Sequence, residues 1–315
     1  MVEAINLALK QEMKKDSKVI VLGEDVGVDG GVFRVTDSLL KLYGPERVID
    51  TPLSESGIVG TSIGLAIGGM KPVAEIQFDG FTYPALDQLI SHASRIRNRS
   101  RGRFSCPMVF RFPCSGGIKA LEHHSESPET YYIHIPGLKV VMPSTPYEAK
   151  GLLVSAIRDP DPVIFMEPKR LYRAIKQEVP EKEYSIPLGK ASIRKEGSDV
   201  TLISWGAMVR ECEKTETNVS CEIIDLRTLK PLDMDTVINS VKKTGRAIIV
   251  QEAPRTCGLG AEVSARIVEK ALLDLKAPVE RVTGFDTVIP LAKLEEYYLP
   301  NPKRIKKAIE KVMSF

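Results

Sequence analysis

Two rhythms alternate along the chain. Short apolar runs, often β-branched, recur as VIVLG (19–23), VIDTPL (48–53), PVAEIQF (72–78), PMVFRF (107–112), KVVMPS (139–144) and VIFMEP (163–168). They are nearly continuous in apolar residues instead of alternating with polar ones. That is the pattern of a strand covered on both faces, as in a parallel sheet flanked by helices. The intervening stretch PYEAKGLLVSAIRD reads as a helix with Pro146 in its first turn. Strand and helix in regular succession predict an α/β fold with right-handed crossovers.

The rhythm breaks over residues 177–199, which are polar and carry Pro180 and Pro187. It then resumes with VTLISWG, CEIIDL, AIIVQE, a helix over about 259–275, and VERVTG. Two α/β domains with mainly parallel sheets are therefore expected: residues 1–180, a link over 181–198, and residues 199–315. The first crossover of the second domain, roughly 207–219, is close to the shortest that can join parallel strands.

Composition narrows the class. At 315 residues and 43% hydrophobic content, two domains can each bury a core. A net charge of +3 is low for a nucleic-acid binder. The arginines of RIRNRSRGR (95–103) are then expected on a solvated or partner-facing helix end. Five cysteines form no C-x-x-C pair and no metal-ligand spacing, which suits a reducing compartment. The opening MVEAINLALKQEMKKDSK lacks the pattern of a secretory signal. The longest near-apolar run, around 57–69, is too short to span a bilayer. A cytoplasmic protein that engages neither membrane nor nucleic acid is expected.

One residue resists this bland picture. In TPLSESGIVGTSIGLA (51–66), Glu55 heads an otherwise apolar helix. It can be read as a first-turn acid facing the positive end of the helix dipole, behind a Ser54 cap. Gly60, Gly64 and Gly68 follow at four-residue spacing, and each glycine inside a helix costs about 1 kcal/mol against alanine. Such a stripe suits the close approach of another backbone. With Ile58, Val59, Ile63, Leu65 and Ile67 on its other faces, the helix is expected to be buried all round, partly by another subunit. Glu55 would then be a desolvated carboxylate suited to sharing a proton.

LEHHSESPETYYIHIPG (121–137) holds three of the four histidines. Adjacent His123 and His124 are poorly spaced for zinc, and a proton-transfer role for one histidine is the better functional reading. His123 and His134 read as packed or surface residues. No dinucleotide fingerprint, phosphate loop, nucleophile elbow or H-E-x-x-H motif is present. Glu55 thus has no partner chemistry in its own chain, which points to a cofactor held in a shared site.

Taken together, LGEDVG (22–27), DTPLSESGIVG (50–60), EIQFDGFTYPALDQ (75–88), HHSESPETYYIHIPGLKVV (123–141), AIRDPDPVIFMEPKRLYR (156–173), IIDLRTLKPLD (223–233) and PLAKLEEYYLP (290–300) carry a resemblance. They resemble the β subunit of the thiamine-diphosphate-dependent decarboxylase component of 2-oxoacid dehydrogenase complexes, over nearly the whole chain. The resemblance implies a pyrimidine-binding domain followed by a transketolase C-terminal-like domain. It implies that Glu55 hydrogen-bonds N1′ of the aminopyrimidine, with Leu53, Gln77 and Phe81 lining that pocket. Phe81 stands where branched-chain relatives often have tyrosine, and Thr61 departs from an apolar position of the family pattern. His124 matches a histidine implicated in reaction with the lipoyl group. Asp159 and Asp161 fall where some relatives bind a structural potassium ion, which stays open here.

The activity so implied is oxidative decarboxylation of a 2-oxo acid, with acyl transfer to a lipoyl arm of the acyltransferase core. The run EPKRLYR most resembles the branched-chain type, with pyruvate or acetoin as alternatives. The diphosphate and Mg2+ motif, Gly-Asp-Gly with a downstream Asn, is missing from this chain and belongs to the family's α subunit. An α2β2 heterotetramer within a multienzyme complex is therefore expected, inactive without α, its β–β contact made by the second domain. A non-catalytic assembly subunit of the same fold is the competing class, disfavoured by the retention of Glu55 and His124.

Overall fold

The apolar runs become the strands of two sheets in the computed structural model, which describes residues 1–315. The first sheet contains β1 (Val19–Gly23), β2 (Val48–Asp50), β3 (Lys71–Glu75), β4 (Val109–Cys114), β5 (Lys139–Val141) and β6 (Val163–Pro168). The second contains β7 (Ser192–Lys195), β8 (Val200–Ser204), β9 (Cys221–Asp225), β11 (Ala247–Val250) and β12 (Glu280–Val282). Between β9 and β11 lies β10 (Thr228–Lys230), which joins the edge of the first sheet.

The orders are β10-β5-β6-β4-β3-β1-β2 and β12-β11-β8-β9-β7. Every pairing is parallel except at one edge of each sheet, where β10 meets β5 and β7 meets β9 antiparallel. Two domains with mainly parallel sheets are thus the observed architecture. The strand β10 was not foreseen, because it forms only by pairing with β5 of the other domain. It ties the second half of the chain to the first sheet. Strand β7 corrects the expected link by lying inside 181–198, paired with β9. Strand extents also shift. The run 48–53 pairs only to Asp50, and β4 begins at Val109, beyond Pro107, which has no N–H for a ladder.

Strands β1, β4, β6, β8, β9 and β11 are buried along their whole length, as continuous apolar runs require. The helices start and stop where local chemistry directs. Thr145, Asp233 and Asn301 each cap a helix by accepting from the N–H three residues on. Gly245, at φ 72°, ends the Met234–Thr244 helix in the left-handed conformation. The Val2–Lys15 helix buries Ile5, Ala8 and Leu9 and lies on the Pro146–Arg158 helix, where Glu12 accepts two bonds from Arg158 at 2.8 and 2.6 Å. No helix is long and apolar enough to cross a membrane.

A buried ionic set crosses the first sheet at the carboxyl ends of β3, β4 and β6. Arg111 donates to both oxygens of Glu167 at 2.7 Å and to Glu75, and the Tyr172 hydroxyl donates to Glu167 at 2.5 Å. Beside it, Lys169 bonds Asp79 at 2.6 Å with both side chains fully buried. Removing one partner from such a set costs about 3–5 kcal/mol, since the other charge is left buried and alone. This framework fixes the end of the sheet at which open α/β sheets place their ligands.

Candidate active site

Each sequence-predicted site residue follows the carboxyl end of a strand of the first sheet. Leu53 and Glu55 follow β2, Gln77 and Phe81 follow β3, and His124 follows β4. Glu55 opens the Glu55–Ile67 helix, which packs on the short 3-10 segment Asp79–Ala85 carrying Phe81. The Ser56 hydroxyl ties the two by donating to the Pro84 carbonyl at 2.5 Å. The Asp79–Lys169 pair anchors the segment's start.

One expectation about the Glu55 helix is corrected. Ser54 occupies the cap position, but its side chain makes no capping bond. Within this chain alone, the helix is buried on one side. Ile58, Val59, Ser62, Ile63 and Ala66 face the core, while Gly64, Ile67 and Gly68 are exposed and Glu55 is only half-buried. A methyl group added at Gly64 would meet nothing within 4 Å. Gly60 is half-buried against Gln88, but the stripe stands open at Gly64 and Gly68.

The remaining groups form an aromatic wall. The His124 ring lies 4.4 Å from Phe78 and 5.1 Å from Phe81, centroid to centroid. Phe78 is itself 5.8 Å from Phe81 and 5.5 Å from Phe33. His124 Nδ1 is 2.9 Å from the Glu122 carbonyl, which favours a proton on that nitrogen and leaves Nε2 available. Gln77 donates to Asp25 at 2.7 Å. Phe81 and His124 are thus in contact. Gln77 bonds Asp25 in the loop after β1, whose Glu24 is close enough to Glu55 to feel its charge, whereas Leu53 stands 81% exposed. His123 and His134 are both exposed.

That loop holds a residue the motif survey passed over. Glu24, directly after β1, is buried, and one of its carboxylate oxygens has no partner. Burial raises its pKa, and the nearby charges of Glu55 and Asp25 add to the rise. Asp50, at the end of β2, pins the loop by accepting from the N–H groups of Gly27 (2.5 Å) and Val28 (3.0 Å). The available signal was an acid placed immediately after a wholly apolar strand.

Elsewhere the charged motifs are internally satisfied. In the arginine stretch, Arg97 pairs with Asp161 at 2.6 Å, and Arg95 and Arg99 donate to the carbonyls of Ile90 and Ser91. Asp159 is held at both oxygens by Lys139 at 2.6 Å. The two carboxylates considered for potassium are therefore both engaged by side-chain cations. A cavity of about 570 Å3 lies beside these pairs, lined by neither Glu55 nor His124.

A carboxylate beside a half-buried aromatic ring suits the edge and face of an aminopyrimidine. Glu24, with its unpartnered oxygen, adds a second acid to that pocket. No group of three or more His, Cys, Asp or Glu side chains is placed to hold a metal ion by itself.

Comparison with known proteins supports the pyrimidine-binding fold of the first domain. Residues 1–175 match the transketolase pyrimidine-binding domain and residues 189–305 the transketolase C-terminal domain. A solved split-gene transketolase, an inactive β4 tetramer, superposes with a TM-score of 0.81 over 99% of this chain and 97% of its own, at 21% identity, and so speaks for the fold alone. Sequence relatives go further. The pyruvate dehydrogenase E1 component subunit beta of Acholeplasma laidlawii is 55% identical over 99% of this chain and 97% of its own. Its Bacillus subtilis counterpart is 51% identical over 100% and 98%. The chain belongs to the β subunits of the thiamine-diphosphate-dependent 2-oxoacid dehydrogenase decarboxylase components.

The relatives' names speak of pyruvate, not of the branched-chain acids that EPKRLYR suggested. The structure explains why that run is a poor guide. Glu167 and Tyr172 bond within the Arg111 set, Lys169 holds Asp79, and Arg170 pairs with Glu211 at 2.9 Å. These side chains brace the sheet and report little about a substrate.

Proposed function

We propose that this chain is the pyrimidine-side half of a pyruvate dehydrogenase decarboxylase, active only when an α subunit completes the site in an α2β2 assembly. The observation that carries the half-site reading is the uncovered glycine face beside Glu55. The preference for pyruvate rests on the relatives at 55% and 51% identity.

In this reading Glu55 holds a proton against the aminopyrimidine ring, and Phe81, Gln77 and Leu53 line its pocket. Glu24, next to Glu55 and favoured in its neutral form, keeps a second proton at hand. The bound cofactor supplies the electron sink for loss of carbon dioxide. Its diphosphate and Mg2+ are held by the α subunit. His124, on the aromatic wall, orients and exchanges a proton with the incoming lipoyl group of the acyltransferase core.

Reconstitution with an α subunit tests the reading. Reduction of an artificial electron acceptor should be fastest with pyruvate among pyruvate, 2-oxoisovalerate and acetoin; a faster rate on either of the others overturns the substrate assignment. The isolated chain should bind thiamine diphosphate weakly in calorimetry. Tight binding without α would sink the half-site reading.

A further inference from the structure

The loop that carries His124 is held from the opposite domain. It runs from the end of β4 to the short helix Glu129–Ile133 and is closed by the Ser115 N–H donating to the Glu126 carbonyl at 2.7 Å. Its backbone is unusual: Ser115, Lys119 and His123 all have positive φ, at 72°, 57° and 67°. Non-glycine residues persist in that region only where their surroundings enforce it.

The enforcement comes from two buried carboxylates of the second half of the chain. Glu252, just beyond β11, accepts from the Gly116 N–H at 2.5 Å and from the Ser127 hydroxyl at 3.2 Å, and so spans both stems of the loop. Glu295 accepts from the N–H groups of Gly117 (2.8 Å) and Lys119 (3.0 Å), one on each oxygen. These two glutamates are 5% and 3% exposed. Glycine at 116 makes room for both, since a β-carbon there would lie 3.0 Å from Glu295 Oε1 and 2.9 Å from Ile289. On the far side, a β-carbon at Gly80 would collide with the His123 carbonyl, so the loop seats directly on the segment bearing Phe81.

We propose that Glu252 and Glu295 are positioning residues that clamp the 115–128 loop from the second domain and set His124 for transfer of the acyl group to lipoyl. The clamp can be tested without activity. Its catalytic consequence rests on the function proposed above. Glutamine at 295 keeps only one acceptor oxygen and aims an amide donor at a backbone N–H, so it breaks the pair of bonds while conserving shape.

The experiment compares the assembled holoenzyme carrying wild-type chain, Glu295→Gln or Glu252→Gln. Amide hydrogen exchange over residues 115–128 should quicken in both variants by roughly tenfold or more, while exchange in β1 and β4 is unchanged. Acyl transfer to a lipoyl domain should fall on the order of tenfold to a hundredfold in kcat, far more than decarboxylation followed with an artificial electron acceptor. A merely structural role would lower both half-reactions together. Gly116→Ala, which pushes the loop without removing a charge, should reproduce the split if a glutamine variant fails to assemble. Unchanged loop exchange, or an equal fall in both half-reactions, overturns the proposal. A wild-type holoenzyme that decarboxylates no 2-oxo acid instead sinks the function reading, and loop exchange still decides the clamp.

Discussion

The two sides of the candidate site are built to different degrees. At the His124 loop, the chain supplies its own support, with carboxylates from the other domain meeting backbone N–H groups in buried bonds. At the Glu55 helix, the same chain leaves a cap unbonded, a glycine stripe bare and the carboxylate half in solvent. A finished wall faces an unfinished one. In the function proposed above, the unfinished wall is the one a second chain completes, and its residues should respond to mutation differently in the free and assembled states.

The largest effect should come from the unfinished side. In the reconstituted assembly, Glu55→Gln should lower decarboxylation about a hundred- to ten-thousandfold while leaving the tetramer intact, because the amide cannot share a proton. Near-normal turnover would remove Glu55 from the chemistry. On the finished side, His124→Ala should reduce acyl transfer to lipoyl roughly tenfold to a hundredfold, with a smaller change in decarboxylation. Equal loss of both would mean that the histidine supports the aromatic wall without serving the transfer step.

A pH-dependent prediction sharpens the finished side. Glu129, where the loop enters its helix, is fully buried, and its pKa is raised to about 7, first by desolvation and further by the charge of Glu252; Trp205 Nε1, donating at 3.2 Å, opposes the rise. A raised carboxyl pKa means that the folded form binds the extra proton between the ordinary value near 4.5 and about 7. The contribution to stability is therefore full below pH 4.5 and lost as pH rises through 7. Glu129→Gln keeps the acceptor for Trp205 and cannot ionise. It should be more stable than wild type at pH 8, on the order of 3 kcal/mol at most, with the gap narrowing toward pH 5. Parallel stability curves for the two proteins would show that the group does not titrate in this range.

How much of this was legible beforehand differs element by element. VIVLG and VIFMEP announce buried strands because both faces of each are covered by their own chain. TLK (228–230) announces nothing, since its strand exists only through pairing with β5 across the domain boundary. Glu55 was conspicuous as a lone acid in an apolar run, and this chain alone buries it only by half. The pattern of a helix records the faces it will bury in the assembly, not which chain buries them. Glu252 and Glu295 were invisible as a pair, 43 residues apart and joined only by the folded loop between them. EPKRLYR misled about substrate because its charges are spent on the sheet's internal ion pairs.

The smallest effect discriminates best between the two walls. Gly64 lies inside a helix with no atom near its would-be β-carbon, so within the isolated chain only backbone propensity is at stake. Alanine there reduces the entropy lost on folding, and Gly64→Ala should stabilise the free chain by about 0.5–1 kcal/mol. The same face, once covered closely by an α subunit, has no room for larger side chains. Gly64→Leu should therefore leave the free chain folded, with a thermal midpoint near that of wild type, and weaken tetramer formation in sedimentation. A substitution at Gly116 behaves oppositely, disturbing the free chain because its slot is already filled by Glu252, Glu295 and Ile289. If Gly64→Leu assembled as well as wild type, the bare stripe would be solvent-facing surface, and the contrast between a finished and an unfinished wall would lose its physical basis.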